Sequence, residues 1–175
     1  KEYIMKPIKV GIAGMGVVAS GVVSVLERNQ TEIARRAGRG IEVTVVAERT
    51  PNKAAHLAEK GVQIVNDLSA LASHPDVDIV VELMGGYEPA RTFVLEAIAD
   101  GKHVVTANKA LLAVHGNEIF KAAQDKGVTV AFEAAVAGGI PVIKALREGL
   151  SANRIEWIAG IINGTTNFIL TQMRD

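Results

Sequence analysis

Short apolar, β-rich runs alternate with longer amphipathic stretches along most of this chain, and that rhythm restricts the folds open to it more than any single motif. The runs fall at 8–13, 41–47, 62–65, 77–82, 104–106 and 128–132. Helical patterning is predicted between them, over 17–37, 53–60, 67–73, 89–100 and 116–126. Gly61, Gly101 and Gly127 each follow a predicted helix and precede a predicted strand, the place where a left-handed C-cap is needed. Pro89 suits a first helical turn, where its missing N–H costs nothing. Such alternation with short turns gives right-handed crossovers and a parallel sheet covered on both faces.

The first strand runs into Gly11-Ile12-Ala13-Gly14-Met15-Gly16-Val17-Val18-Ala19. Gly14, Gly16 and Ala19 match the G-x-G-x-x-G/A pattern of a dinucleotide loop. The first glycine permits the tight turn, the second lets the backbone approach a pyrophosphate, and the small third residue lets helix and strand pack. With a strand before it and a helix after it, the loop points to NAD or NADP in a doubly wound, mostly parallel α/β sheet of Rossmann type. At the end of the second strand, Glu48 could hold ribose hydroxyls and Arg49, with Lys53 nearby, a 2′-phosphate. The pair leaves the cofactor open between NAD and NADP, with NADP favoured.

Composition removes several other classes of function. Basic and acidic residues number 19 each, so no net field recruits nucleic acid or an anionic membrane. There is no cysteine, which excludes a disulfide framework, a thiolate nucleophile and a cysteine-ligated metal. The histidines at 56, 74, 103 and 115 form no ligand-spaced pair. No apolar stretch approaches the ~20 residues needed to span a bilayer, and the cytoplasm is the expected compartment.

Beyond Phe132 the texture changes to small residues through Ala134-Ala135-Val136-Ala137-Gly138-Gly139-Ile140-Pro141, followed by a helix over 142–150. The dinucleotide domain is therefore assigned to 1–135 and the start of a second, α+β domain to 136–175. A strand is predicted over 154–162, and a turn at Asn163–Asn167 capping a last helix from Phe168. One strand and one helix cannot bury a core by themselves, so the chain reads as truncated. An exposed apolar edge strand at 154–162 would promote association.

Two places suggest chemistry. The fourth strand ends in Glu82-Leu83-Met84-Gly85-Gly86, where the glycines allow backbone to come close to a nicotinamide. After the fifth strand, Thr106-Ala107-Asn108-Lys109 puts an ammonium at the carboxyl edge of the sheet. There it could stabilise the negative charge that develops on a carbonyl oxygen during hydride transfer, or donate the proton. Glu133 with Val136, Gly138 and Ile140 could offer oxygens to a hard cation, or mark a hinge.

These segments and Asn163-Gly164-Thr165-Thr166-Asn167, taken in order, resemble homoserine dehydrogenase over almost the whole chain. The resemblance implies an NAD(P)-dependent oxidoreductase, a homodimer, interconverting aspartate 4-semialdehyde and homoserine on the way to threonine, methionine and isoleucine. It implies that Gly14, Gly16, Val17, Val18, Arg49, Gly85, Gly86, Thr106 and Lys109 bind cofactor, with Lys109 also catalytic. It further implies that Glu133 and the carbonyls of Val136, Gly138 and Ile140 hold sodium or potassium. Ala19 and Val17 depart from the glycine and threonine frequent in the family. Residues that hold substrate would lie beyond Asp175, so this chain alone is expected to be inactive. The rival readings are a non-catalytic NAD(P)-sensing module and a related amino-acid or sugar dehydrogenase.

Overall fold

The computed structural model describes residues 5–160 and 163–174. Its sheet comprises β1 (Ile8–Ala13), β2 (Ile41–Ala47), β3 (Gln63–Val65), β4 (Ile79–Glu82), β5 (His103–Thr106) and β6 (Val130–Ala131). The strand order is β3-β2-β1-β4-β5-β6, and every pairing is parallel. The chain winds outward from β1 to β3, then crosses back to β4 and winds the other way. All carboxyl ends therefore share one edge, and the reversal between β1 and β4 opens a crevice there, as expected of a doubly wound α/β fold.

The helices are α1 (Val17–Arg28), α2 (Gln30–Ala37), α3 (Ala55–Ala58), α4 (Leu68–Ala72), α5 (Ala90–Ala99), α6 (Lys109–Lys126), α7 (Val142–Lys144) and α8 (Gly164–Arg174). Period-two alternation sorts the strand residues between two layers. In β2, Val45 and Ala47 face one core and Val46 the other. The first core is closed by α4, α5 and α6 through buried Leu71, Phe93, Leu111 and Ile119. The second is closed by α1 and α3 through Ala19, Val23 and Leu57. Each such side chain of leucine or phenylalanine size contributes about 1.5–3 kcal/mol by leaving water. The packing is tight at Gly11, where a Cβ would stand 2.5 Å from Leu71 Cδ1.

Four expectations are corrected. The helix predicted over 17–37 is broken at Asn29, whose backbone (φ −107°, ψ 19°) leaves helical geometry between α1 and α2; asparagine is a weak helix former. The helix predicted over 116–126 begins at Lys109 instead, because Asn108 Oδ1 accepts the Leu111 N–H at 3.1 Å and caps it. The strand predicted over 154–162 is absent among the described residues. Positions 154–160 are exposed and irregular, and the last two positions lie outside the described residues. A β-prone sequence with no neighbouring strand has nothing to pair with. Finally, α8 starts at Gly164 rather than Phe168, since Asn163 Oδ1 accepts the Thr166 N–H at 2.9 Å. The helix expected over 142–150 runs as α7 and then widens into a π turn at Ala145–Gly149. No helix among the described residues is long and apolar enough to cross a membrane.

Candidate functional site

The glycine loop is the floor of the crevice. Gly14 has φ +86°, and its N–H donates to Ala47 O at 2.9 Å, which locks the turn against β2. Gly16 caps α1 with no side chain, and the first turn of α1 carries no acidic residue. The first helical N–H groups thus face outward at the positive end of the helix dipole. A Cβ on Gly16 would meet nothing within 4 Å, while Val17 and Val18 are 92% and 58% exposed. This is the open, donor-rich geometry that receives a pyrophosphate.

Glu48, at the end of β2, is turned toward the loop. Its Oε2 accepts the Met15 N–H at 2.8 Å and its Oε1 the Thr50 N–H at 2.9 Å. Burial acts to raise its pKa, but the N–H groups of Thr50 and Met15 and the charges of Lys53 and Arg49 outweigh it. The carboxyl is held below its ordinary value. Arg49 is exposed beside it. Glycine loop, β2 end and β4–α5 loop enclose a cleft of about 660 Å³, lined among others by Gly14, Gly16, Arg49, Lys53, Met84 and Gly85. That is ample for a nucleotide. A second cleft of about 650 Å³ opens at the amino ends of the strands beside Lys102. There the Lys102 ammonium is committed to the carbonyls of His74 and Val77 at 2.8 and 3.0 Å, and ligands of this fold bind at the other end.

One strand over, Gly85 and Gly86 take φ +76° and +75°, a region that side chains avoid, and fold the β4–α5 loop back on itself. Thr106 is fully buried, and its hydroxyl donates to Glu82 Oε2 at 2.7 Å. It does not line the 660 Å³ cleft itself. Lys109 is the first residue of α6, exposed at the carboxyl edge of β5. It does not line the 660 Å³ cleft but stands next to it, since Asn108 Nδ2 donates to Gly86 O at 2.7 Å. Sequence reading had missed Glu82 and Asn108. The second was visible as an asparagine followed by helix formers.

Glu133 caps α7. Its Oε1 accepts the Ile143 N–H at 3.0 Å and its Oε2 the Lys144 N–H at 2.9 Å. Between them the chain turns sharply, with Ala137 at φ +47° and Gly139 at φ +86°. Ile140 O accepts the Val142 N–H at 2.8 Å. Among the described residues no three histidine or acidic side chains gather as a metal site. Glu133 is thus the one carboxylate of its loop, with backbone carbonyls as the other available donors.

Residues 14–133 match the family profile described as homoserine dehydrogenase, NAD binding domain, and residues 141–175 match that described as homoserine dehydrogenase. The chain belongs to the homoserine dehydrogenase family. The homoserine dehydrogenase of Pseudomonas aeruginosa is 65% identical over 171 residues, covering 98% of this chain and 39% of that protein. The crystal structure of a homoserine dehydrogenase from Thiobacillus denitrificans superposes with a TM-score of 0.89 at 63% identity, covering 97% of this chain and 39% of that one. The S. aureus homoserine dehydrogenase structure at pH 7.5 gives 0.70 at 36% identity, covering 78% and 34%. The chain therefore spans about 39% of the length of the Pseudomonas aeruginosa and Neisseria gonorrhoeae relatives. Within the homoserine dehydrogenase family, residues 14–133 are the portion that binds a nicotinamide cofactor.

Proposed function

We propose that this chain is the cofactor-binding part of a cytoplasmic, NAD(P)-dependent homoserine dehydrogenase that interconverts L-aspartate 4-semialdehyde and L-homoserine, and so serves threonine, methionine and isoleucine biosynthesis. The observation that carries this reading is the alignment of three features on one edge of the sheet: the start of α1, free of any side-chain cap, the Arg49 and Lys53 charges, and Lys109 beside Gly85–Gly86. The pyrophosphate would lie on the N–H groups at Gly16, Val17 and Val18, above the Gly14 turn. Glu48 already serves the loop, so Arg49 with Lys53 is left to meet a 2′-phosphate, which favours NADP. Gly85, Gly86 and the Thr106 end of β5 would receive the nicotinamide half. The bound nicotinamide supplies or accepts the hydride. Lys109 would stabilise the developing alkoxide or carry its proton.

Residues 1–135 form the dinucleotide domain in this reading, and 136–175 begin the substrate and dimerisation domain. Homoserine oxidation should be measured in the chain joined to the downstream portion that its relatives carry, with NAD and NADP compared. Turnover is expected with NADP preferred, and Lys109→Ala should lower kcat by about a hundredfold or more. Cofactor binding without any homoserine turnover would sink the reading.

Glu133 and the carbonyls of Val136, Gly138 and Ile140 offer one formal charge and neutral oxygens, a donor set suited to sodium or potassium rather than to a divalent ion. The ion would tie the turn to α7. Thermal unfolding in sodium or potassium against tetramethylammonium, at one ionic strength, should show stabilisation that Glu133→Gln abolishes. Equal midpoints in all three salts would remove the ion from the scheme.

A further inference from the structure

Glu82 is a carboxylate with no exposed surface at the end of β4, and the proposed chemistry makes no use of it. Its Oε1 accepts the N–H groups of Met84 at 2.8 Å and Gly85 at 3.2 Å. Its Oε2 accepts the Thr106 hydroxyl, from the residue paired with it across β4 and β5. Thr106 Oγ1 in turn accepts the Asn108 N–H at 3.0 Å. Asn108 then sends one end of its amide to Gly86 O and the other to the Leu111 N–H. The circuit closes on itself: from Glu82 through Thr106 and Asn108 to Gly86, and back along the chain to Glu82.

Stability by itself does not call for a carboxylate at this position. A buried carboxylate is costly unless every oxygen is satisfied, and a well-packed apolar side chain at such a place is commonly as stable or more so. What the circuit does supply is geometry. It fixes two separate loops, Met84–Gly86 and Ala107–Lys109, to a common point, and it starts α6 at the residue that carries the ammonium. A fully satisfied buried network rigidifies its surroundings.

We infer that Glu82 is a positioning residue which, through Thr106 and Asn108, holds the Gly85–Gly86 turn and Lys109 as one unit beneath the nicotinamide half of the cofactor. The inference rests on the cofactor orientation proposed above. The adenosine half of the cofactor lies on the glycine loop and β2, outside the circuit. Damage to the circuit should therefore weaken the whole dinucleotide while sparing its adenosine half.

The test is titration of this chain with NADPH and, separately, with 2′,5′-ADP, followed by amide chemical shifts, for the parent and for Glu82→Gln, Thr106→Val and Thr106→Ser. The parent should hold NADPH more tightly than 2′,5′-ADP. Glu82→Gln and Thr106→Val should each lower that ratio about tenfold, the worth of one well-placed buried hydrogen bond, with the Lys109 and Leu111 amides displaced. Thr106→Ser, which keeps the hydroxyl, should restore the ratio. If both ligands weaken in proportion, or if the ratio does not move, Glu82 is only structural and the inference is overturned. A parent that binds NADPH no better than 2′,5′-ADP would instead overturn the cofactor orientation, and the inference with it.

Discussion

Glu48 ties two separate parts of the crevice together. Its two oxygens bridge Met15 and Thr50, joining the glycine loop to the β2 end that carries Arg49. Because its carboxyl is held below the ordinary value despite burial, the bridge contributes fully above the unfolded carboxylate range near ~4.3 and is lost as pH falls through the lower folded value. The contribution of Glu48 to dinucleotide affinity should accordingly stay level from neutrality down through the ordinary carboxylate range near ~4.3 and weaken only below it. Glu48→Gln should bind about tenfold more weakly at pH 7 and show a smaller acid limb. Titrations at several pH values check both, and an unchanged acid limb in the variant would assign the loss to other carboxyls. The sequence offered Glu48 as a ribose ligand and Arg49 as a phosphate ligand; the folded geometry turns Glu48 onto the glycine loop and leaves Arg49 exposed. Nothing in the local pattern says which way a carboxylate turns at the end of a strand.

At the scale of elements, the decisive event is the start of α6. Asn108 caps it and also holds Gly86, so Asn108→Ala should cost about 1 kcal/mol or somewhat more. For a chain of this size that corresponds to a fall in unfolding midpoint of roughly 2–4 °C. Asn108→Asp keeps the cap oxygen and should lose less. Denaturant or thermal unfolding reads the difference, and equal losses would mean that the cap carries little weight. The strands were legible because short continuous apolar runs and the closing glycines at 61, 101 and 127 are local signals; all three glycines have positive φ. The break at Asn29 was not legible, and the early start of α6 showed only as an asparagine ahead of helix formers. Each depends on a competition between one capping or breaking side chain and the propensity of its neighbours. The strand expected over 154–162 failed for a different reason, since pairing is a property of two segments and the sequence displays only one.

For the molecule as a whole, the sheet and its two helical layers take up nearly all the buried apolar surface. By contrast Trp157, Ile158, Phe168, Leu170 and Met173 are 77%, 67%, 67%, 58% and 77% exposed. Deleting residues 151–175 should therefore leave the unfolding midpoint within about 2 °C of the parent. It should also reduce any self-association in sedimentation, because so much exposed apolar surface within one short segment is where chains adhere. A fall of many degrees would show that the segment stabilises the sheet. The reversal of strand order carries one more consequence, this time for the assembly of the fold. Val10 lies against Val43 on one side and Ile79 on the other, so the central pairing of the sheet joins segments separated by a complete βαβ excursion. Closing so long a loop costs entropy before any contact repays it. The β1–β2 pair can form from nearby chain, whereas the crevice between β1 and β4 exists only once the distant half has docked. The place where a cofactor would bind is thus the seam between an early and a late part of the folding molecule.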